Sequence, residues 1–543
     1  MADRARWVLL VLALLAGIWL RVGGIADAAL FGDEYHNHGV AEAELGTLLT
    51  TFDRVGSHVV APVVQHVSLA LLGKGPFSFR LVALLPGLAT LLLLYPFAVQ
   101  LLGTDRRTTA VCATVLLAVN PMHVYYSRFG RAYAAIVLLG LLLAWLVVRA
   151  TRAEPGSRTA RTSWVGVAIV AALLPVTHLS SAGTTAFLGL AAILLSLRRG
   201  GTRAALAPAG AFAAAAVLAL LAFLPVLEQV RAYFAQTAEV KDQPLTWFGI
   251  PLLLAGGTVE GALLLAGLPL ATFALWRERT DAALLLLCAL LGPLVTLLAL
   301  RPHGMEYAWS RYLLGALPFA ALALGYGLER LLRGELATQA VAAVAAALTL
   351  LAGPLADRPA EPSATANSYL ALRSLPAFDR PWPDASPFYA ELAAAPERLR
   401  IVESPPPLTR ASLLFRNLAL RHGKELRLGW PGALPGAMGE AGADGPYVDL
   451  LSVTAADADF VVLHRELPRE VDAYWAFVYD TVLAEESNAL DAGFMERHRS
   501  TFIHTQPHVQ PKVVADLAAR LRERLGAVHY KDERILVWKL SGE

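Results

Sequence analysis

Long runs of apolar residues, separated by short polar connections, are the main pattern along this chain. Runs long enough to span a bilayer begin near Trp7, Leu81, Thr108, Ala132, Trp164, Gly183, Ala205, Trp247, Ala282, Tyr312 and Leu336. A spanning helix needs about 20 predominantly apolar residues, with roughly 17–25 tolerated. The pattern therefore predicts an α-helical polytopic membrane protein with about eleven transmembrane helices, give or take one or two, because several runs barely reach that length.

The arginines in the connections predict the orientation of these helices. With the N-terminus in the cytoplasm, nearly every short Arg-rich connection falls on the cytoplasmic side, as the positive-inside rule requires. These connections hold Arg4 and Arg6, Arg106 and Arg107, residues 149–161, residues 198–203, Arg277 and Arg279, and Arg330 and Arg333. We therefore predict a multi-pass protein of the cell membrane with a cytoplasmic N-terminus.

This orientation requires that the apolar run from Val59 to Leu72 does not span. The run is short and contains Pro62, Gln65 and His66. We predict that it forms an interfacial or re-entrant helix on the outer face. It would then lie within a long first outer loop, at about residues 26–79.

The composition changes after about Leu355, where Pro354, Pro359 and Pro362 mark a linker. We predict a transmembrane domain over residues 1–356 and a soluble extracytoplasmic α/β domain over residues 357–543. The second domain should contain a helix opened by Ser386-Pro387, a buried strand over residues 460–463, an amphipathic helix that ends at Gly526, and a terminal hairpin over residues 528–538.

The overall composition agrees with a membrane protein. Mean hydropathy is +0.51, and only 17% of the residues are charged, against about 25% in soluble domains. The formal net charge of +2 gives no indication of a nucleic-acid partner. Cys112 and Cys288, the two cysteines, both lie in apolar runs, so neither a disulfide framework nor a zinc site is predicted.

The acidic pair Asp33-Glu34 stands out because it follows the first apolar run almost directly. Charge beside hydrocarbon is costly, so acids placed there usually pair, bind a ligand or act in chemistry. The alternative is that Asp33 simply caps the next helix. Two further outer connections, residues 120–133 and 301–312, are rich in Arg and Tyr. Arginines bind phosphate through a planar fork, and a carboxylate can accept a hydroxyl proton.

These loops resemble the motifs of the GT-C glycosyltransferases, most closely the protein O-mannosyltransferase and aminoarabinose-transferase branch. An Asp-Glu pair after the first span is similar to the first-loop motif of that family. The other similar segments, in chain order, are His58 to Leu72 with Gly73 and Arg80-Leu81, then Asn120-Pro121 through Tyr125-Tyr126-Ser127-Arg128 with Arg131 and Tyr133, and then Ser310-Arg311-Tyr312 with Pro318. The first of these departs from the family's His-Pro-Pro-like start, since it reads His58-Val59-Val60-Ala61-Pro62.

The resemblance implies a glycosyltransferase that moves a sugar from a polyprenyl-phosphate donor to an acceptor hydroxyl on the outer face of the membrane. It implies Asp33 as the general base of one inverting attack, with Glu34 orienting the acceptor or nearby basic groups. Since the leaving group is a phosphate, it needs charge stabilisation, for which Arg128, Arg131 and Arg311 are the candidates. The remaining candidate substrate-binding residues are Tyr133, Tyr312 and His58. The acceptor could be a lipid, a glycan or a protein.

Other interpretations stay open at this stage. The arginines and tyrosines could anchor the span ends at the interface. His36, His38, His58 and His66 form a loose metal-ligand pattern with Asp33. No metal site or cofactor is assigned on that pattern, and a divalent metal stays an alternative. A transporter or flippase for a lipid-linked or polyol substrate is the second functional hypothesis, and a non-catalytic receptor or scaffold is the third.

Overall fold

A computed structural model describes most of the transmembrane part of the chain and the framework of the C-terminal domain. The described residues are 2–26, 30, 33–52, 59–238, 254, 258–300, 311–351, 355, 386–404, 418–420, 422–430, 447–465 and 510–540. The side chains of a few residues within these ranges, including Asp33 and His36, are outside the described set. The predicted site residue His58 also lies outside it.

The chain divides into two compact units. The first comprises Met1–Ala26, His36–Pro359 and Thr365–Phe378. The second comprises Asp27–Tyr35, Ala360–Ala364 and Asp379–Glu543. Each unit is described separately below.

The first unit is helical. In chain order its helices are α1 (Ala2–Val22), α2 (Asp33–Ala41, which begins in the second unit), α3 (Leu45–Thr50), α4 (Val60–Leu72), α5 (Pro76–Leu102), α6 (Arg107–Ala118), α7 (Pro121–Arg128), α8 (Tyr133–Arg152), α9 (Arg158–Thr177), α10 (Ala182–Phe223), α11 (Leu227–Ala238), α12 (Thr258–Glu278), α13 (Thr280–Leu300), α14 (Leu317–Leu332) and α15 (Glu335–Leu351). The polytopic helical prediction is therefore confirmed.

Each of the eleven predicted runs overlaps one of these helices. In the described part of the chain, seven helices are long and apolar enough to cross a membrane, or eight if α6 and α7 form one bent span. The runs predicted from Gly183 and Ala205 fall in the single helix α10, which departs from helical geometry at Gly200 and Gly201. The start of the run at Trp247 lies outside the described residues. The number of spans thus depends on how these breaks are counted.

The helix α4 covers the run from Val60 to Leu72 that was predicted not to span. It has 13 residues, which at 1.5 Å per residue gives about 20 Å, too short for the roughly 30 Å of hydrocarbon. Its inner face packs against α5 and the start of α8 through Ala61, Val82 and Ala134. The helix is therefore a packed element of the first unit.

A buried arginine holds the break between α6 and α7, which meet at an angle of 58°. Arg21 of α1 has no exposed surface. Its Nη1 donates to the Ala118 carbonyl at 2.9 Å, and its Nη2 donates to the Leu117 carbonyl at 3.3 Å and to His123 Nδ1 at 2.6 Å. The last carbonyls of a helix lack intrahelical partners, and apolar surroundings offer none. At the end of α6, Arg21 supplies the hydrogen-bond donors that these carbonyls lack.

A second buried polar contact joins the start of α6 to α14. The Glu329 carboxylate, only 12% exposed, accepts a hydrogen bond from the Thr109 backbone N–H at 2.9 Å and forms an ion pair with Arg106 at 3.2 Å. The Thr109 hydroxyl donates to it as well. A carboxylate at a helix N-terminus satisfies free N–H groups and complements the helix dipole.

We predict that Glu329→Gln lowers the stability of the transmembrane unit by about 1–3 kcal/mol, because a charge-assisted acceptor is lost at a mostly buried position. Thermal unfolding in detergent, followed by tryptophan fluorescence, measures this change. Glu154→Gln is the matched control, since Glu154 is exposed in the connection between α8 and α9. Equal melting temperatures for the two variants would contradict the assignment.

The second unit contains an α/β fold, as predicted. Its described elements are helices α16 (Phe388–Ala394) and α17 (Gln510–Leu525) and strands β1 (Arg400–Ser404), β2 (Glu425–Trp430), β3 (Tyr447–Asp449), β4 (Phe460–His464), β5 (Tyr530–Lys531) and β6 (Ile535–Lys539). The sheet has six strands in the order β3-β2-β1-β4-β6-β5. Strands β1 to β4 are parallel, and β6 runs antiparallel to β4 and β5.

Alternating side chains of this sheet build a core on each face. One face includes Val402, Val461 and Trp538, packed with α17. The other includes Ile401, Val462 and Val537, packed with α16. The predicted buried strand at residues 460–463, the terminal hairpin and the helix ending at Gly526 are confirmed. Gly526 has a φ of +80°, which is the left-handed conformation that commonly ends a helix.

Candidate functional site

The helix α2 begins at the acidic pair. Asp33 is its first residue, and Glu34 follows with no exposed surface. Both residues belong to the second unit, whereas α2 from His36 onward belongs to the first. A fully buried carboxylate needs hydrogen-bond or ionic partners. Asp33 is the first residue of α2 and lies one position after the N-cap, so capping in the strict sense belongs to the preceding residue.

Asn37, one helical turn beyond the acidic pair, joins α2 to the connection between α7 and α8. Its Oδ1 accepts a hydrogen bond from Arg131 Nη1 at 2.7 Å. Asn37 is 1% exposed and Arg131 is also 1% exposed. Because Oδ1 faces the guanidinium, the amide is oriented with its Nδ2 donor directed elsewhere. Nothing in the sequence indicated a role for Asn37, apart from its place in the segment that follows Asp33-Glu34.

Tyr133 lies at the centre of a buried cluster of cations and rings. The Arg131 guanidinium carbon is 5.7 Å from its ring centroid, and that of Arg311 is 5.6 Å away. The rings of His178 and Tyr312 lie 5.1 Å and 6.3 Å from it. Both guanidinium groups lie within the distance of a cation–π contact. Two positive charges thus converge on one buried aromatic ring.

Arg311 and His178 are each held within this cluster by local contacts. Arg311 Nη2 donates to the Tyr312 hydroxyl at 3.2 Å, and its guanidinium lies 5.1 Å from that ring. The Nδ1 of His178 contacts the Ser180 hydroxyl at 2.8 Å. The ring of His178 lies against the rings of Tyr133 and Tyr312.

The third predicted arginine, Arg128, has a different environment. Its Nη1 donates to the carbonyls of Leu20 and Gly23 at 2.8 and 2.5 Å. These are the free carbonyls at the end of α1, so these contacts tie α7 to α1. Arg80, which the sequence placed in a motif without a role, makes a similar contact with the Ile25 carbonyl at 2.9 Å. These contacts support the backbone on which the cluster around Tyr133 is built.

Gln65 of α4 fixes the connection that carries Arg131. Its Nε2 donates to the Gly130 carbonyl at 2.8 Å, and the residue is fully buried. The helix α4 therefore contributes a direct hydrogen bond to the backbone next to Arg131. The helix α4, which the sequence predicted as an interfacial or re-entrant helix, thus helps to position the cluster around Tyr133.

The histidines between residues 36 and 66 do not form a metal site among the residues that the structure describes. His66 Nδ1 contacts the Ala41 carbonyl at 3.0 Å. His38 lies 5.2 Å from the Phe79 ring and 3.5 Å from the Glu42 carboxylate. Burial alone would raise the pKa of Glu42, but hydrogen bonds from His38 and Lys74 lower it to about 2. The side chains of Asp33, His36 and His58 lie outside the described set.

Of the eight predicted site residues, the structure brings Arg131, Tyr133, Arg311 and Tyr312 together. It adds Asn37 and His178 to them. Arg128 is bonded to the backbone end of α1. Arg131 and Tyr133 are almost fully buried within the helical unit, whereas Arg311 and Tyr312 are partly exposed.

Comparisons with known proteins agree with this architecture. The family model for dolichyl-phosphate-mannose-protein mannosyltransferase matches residues 58–228, a range that contains Arg131 and Tyr133. A search of curated proteins finds no match to this sequence.

Two crystal structures of ArnT from Cupriavidus metallidurans are similar over nearly the whole chain. The apo structure is 15% identical, with a TM-score of 0.57 over 99% of this chain and 98% of that one. The structure bound to undecaprenyl phosphate is 15% identical, with a TM-score of 0.60 over 98% and 97%. At this identity the likeness establishes the fold. The chain therefore shares the fold of ArnT over nearly its whole length, and its similarity to the mannosyltransferase family model is confined to residues 58–228.

Proposed function

We propose that this protein transfers a sugar from a polyprenyl-phosphate-linked donor to an acceptor hydroxyl on the outer face of the membrane. The observation that carries the proposal is the convergence of Arg131 and Arg311 on Tyr133. Arg131 is almost fully buried and Arg311 is partly buried, and guanidinium groups bind phosphate oxygens through a planar fork. A lipid phosphate is an anion that a membrane-embedded site can reach.

The phosphate assignment also fits the chemistry of the leaving group. When the glycosidic bond to a lipid phosphate breaks, negative charge develops on the phosphate oxygen. Prearranged guanidinium groups stabilise that charge without donating a proton. In this scheme Arg131 and Arg311 bind the donor phosphate, and Tyr133 and Tyr312 pack beside it. The ArnT structure with undecaprenyl phosphate supports this class of ligand.

In this proposal the acidic pair supplies the proton acceptor. The assignment of Asp33 rests on the resemblance of the Asp-Glu pair to the first-loop motif of the GT-C glycosyltransferases. Asp33 takes the proton of the acceptor hydroxyl as the hydroxyl oxygen attacks the anomeric carbon and the phosphate leaves. One such displacement inverts the configuration at that carbon.

The topology proposed from the arginine pattern places this chemistry outside the cytoplasm. Nucleotide sugars stay inside the cell, whereas a lipid carrier can present a sugar at the outer leaflet. The protein would then be a multi-pass enzyme of the cell membrane, with its C-terminal domain on the outer side. The sugar can be a hexose or a pentose, and a lipid, glycan or protein can accept it.

We predict that Arg131→Ala weakens binding of undecaprenyl phosphate by about 10- to 150-fold, because hydrogen bonds to charged groups contribute about 1.5–3 kcal/mol each. Native mass spectrometry of the purified protein, titrated with undecaprenyl phosphate, measures the bound fraction. Arg107→Ala is the matched control, since Arg107 is exposed at the start of α6.

The result that would contradict the phosphate assignment is equal affinity in wild type, Arg131→Ala and Arg107→Ala. A melting curve for each variant separates loss of binding from loss of folding. If Arg131→Ala is unstable, Arg131→Lys keeps one charge and loses only the planar fork. The affinity of Arg131→Lys for undecaprenyl phosphate should then be lower than that of the wild type and of the Arg107→Ala control, but binding should still be measurable.

A further inference from the structure

The sheet of the second unit has a reversal in its strand order next to β1. The chain runs from β1 to β2 and β3 on one side, and β4 then pairs with β1 on the other side. In open sheets with parallel strands, ligands bind at the carboxyl ends of the strands where the order reverses in this way. The residues at those ends are Glu403 of β1 and His464 of β4.

Polar side chains occupy this position instead of the apolar residues that fill the rest of the face. Glu403 has no exposed surface, and its carboxylate accepts hydrogen bonds from the Tyr389 hydroxyl at 2.9 and 3.0 Å. His464 Nε2 lies 2.7 Å from Glu403 Oε2. Ile401 and Val462, two residues earlier on each strand, belong to the apolar core of this face. Burying a carboxylate here costs free energy that packing alone does not require.

A second histidine adds a donor to this group. The ring of His422 stacks on Tyr389 at 5.8 Å and 14°. Its Nδ1 accepts a hydrogen bond from the Lys424 backbone N–H at 3.0 Å, which places the ring proton on Nε2. His422 is 3% exposed, and its Nε2 has no hydrogen-bond partner among the described residues. Burial lowers the pKa of His422 to about 4, so the ring is a neutral donor at pH 7.

The charges around His422 Nε2 restrict the kind of ligand that this N–H group can bind. Glu403 is adjacent, and Asp532 is close enough to act on the same tyrosine. Burial, and then the charge of Glu403, hold the pKa of Tyr389 well above its ordinary value. Carboxylates in a low-dielectric site repel phosphate or carboxylate ligands. The described residues contain no group of three metal-ligating side chains. A neutral hydroxyl can both donate to a carboxylate and accept from an imidazole N–H.

We propose that Tyr389, Glu403, His422 and His464 form a binding site for a neutral polyhydroxylated ligand, such as a sugar unit, in the C-terminal domain. The ligand hydroxyl accepts from His422 Nε2 and donates to the carboxylate edge. The site lies wholly in the second unit and consists of residues outside the proposed reaction. It therefore stands or fails independently of that reaction.

Saturation-transfer NMR of the full-length protein in nanodiscs tests this inference. The probes are the methyl glycosides of mannose, glucose and arabinose, with inorganic phosphate as the charged comparison, observed by ³¹P line width. We expect the glycosides to bind with a dissociation constant on the order of millimolar, as suits a ligand of this size. We expect His422→Phe, which keeps the stacked ring, to weaken binding roughly tenfold.

His529→Phe is the matched control, because His529 is an exposed histidine in the same unit. Glu403→Gln should weaken binding as His422→Phe does, whereas Arg107→Ala, at an exposed position in the first unit, should leave the glycoside signal unchanged. Tyr389→Phe, which removes only the hydroxyl, replaces any of these variants that proves unstable in a thermal melt.

Three results would each overturn the inference. The first is the absence of glycoside binding to the wild-type protein at about ten times the expected dissociation constant. The second is glycoside binding that is equal in His422→Phe and His529→Phe. The third is binding of phosphate in place of the glycosides. A protein that binds the glycosides but transfers no sugar would retain this site and contradict only the proposed reaction.

Discussion

Replacing Asp33 with Asn is expected to lower the rate of sugar transfer by about 10²–10⁴-fold, because a general base contributes about that much. The amide has nearly the same size as the carboxylate and cannot accept the proton of the acceptor hydroxyl. We expect kcat to fall while the affinity for undecaprenyl phosphate stays within a few-fold of the wild type. An interaction made only in the transition state affects the chemical step and not donor binding.

The assay for Asp33→Asn uses membranes that contain radiolabelled undecaprenyl-phosphate-linked hexose or pentose and an acceptor fraction from the native membrane. Glu44→Gln is the matched control, because Glu44 is an exposed carboxylate in the same outer loop. Glu34→Gln should give a smaller loss if Glu34 orients neighbouring groups. Wild-type turnover by a well-folded Asp33→Asn protein would remove Asp33 from the base role and would favour the capping interpretation.

The second large effect is expected for Arg21, whose replacement should destabilise the whole transmembrane unit. Arg21→Met leaves the carbonyls of Leu117 and Ala118 and the Nδ1 of His123 without the donor that they share. Each unsatisfied buried group costs about 1–3 kcal/mol, so the total should exceed about 3 kcal/mol. That loss corresponds to a fall in Tm on the order of 5–10 °C.

The matched control for Arg21 lies on the same helix. Arg4 is exposed near the start of α1, so Arg4→Met removes the same charge with little loss of packing or hydrogen bonding. Thermal unfolding of both variants in detergent, together with the yield of monodisperse protein, gives the comparison. If Arg21→Met melts within 1–2 °C of Arg4→Met, a difference below about 1 kcal/mol, Arg21 does not hold the break between α6 and α7.

The arginines of the helical unit have two kinds of environment. Arg21 and Arg128 bond to the ends of helices. Arg21 donates to backbone carbonyls at the end of α6, and Arg128 donates to backbone carbonyls at the end of α1. Arg131 and Arg311 instead meet around an aromatic ring. From the sequence alone, Arg128, Arg131 and Arg311 were all candidates for binding the donor phosphate, because all three lie in Arg- and Tyr-rich segments. Only the contacts distinguish an arginine that bonds to the end of a helix from one that lies against an aromatic ring.

Sequence periodicity predicted the helices well because a spanning helix is specified locally by its length and apolar content. Each of the eleven apolar runs overlaps a described helix, two of them the single helix α10, and the run that was predicted not to span forms the short helix α4. The terminal hairpin and the helix ended by Gly526 follow equally local rules of alternation and capping. The bend between α6 and α7 was not predicted, because residues 120–133 were assigned to a connection, whereas residues 121–128 form the helix α7.

What the sequence by itself determined was the membrane class, the approximate set of spans, the α/β character of the C-terminal stretch and the candidate status of the outer loops. These properties depend on composition and on patterns of period 2 or 3.6, which are visible within a few turns of chain. The tertiary structure alone decided that Asn37 contacts Arg131 across 94 residues, that Arg21 closes α6, and that Glu403 meets His464 across 61 residues. Such contacts join segments that no local pattern links, because the partner of a buried polar group is fixed by how the elements pack and not by its own neighbours in the chain.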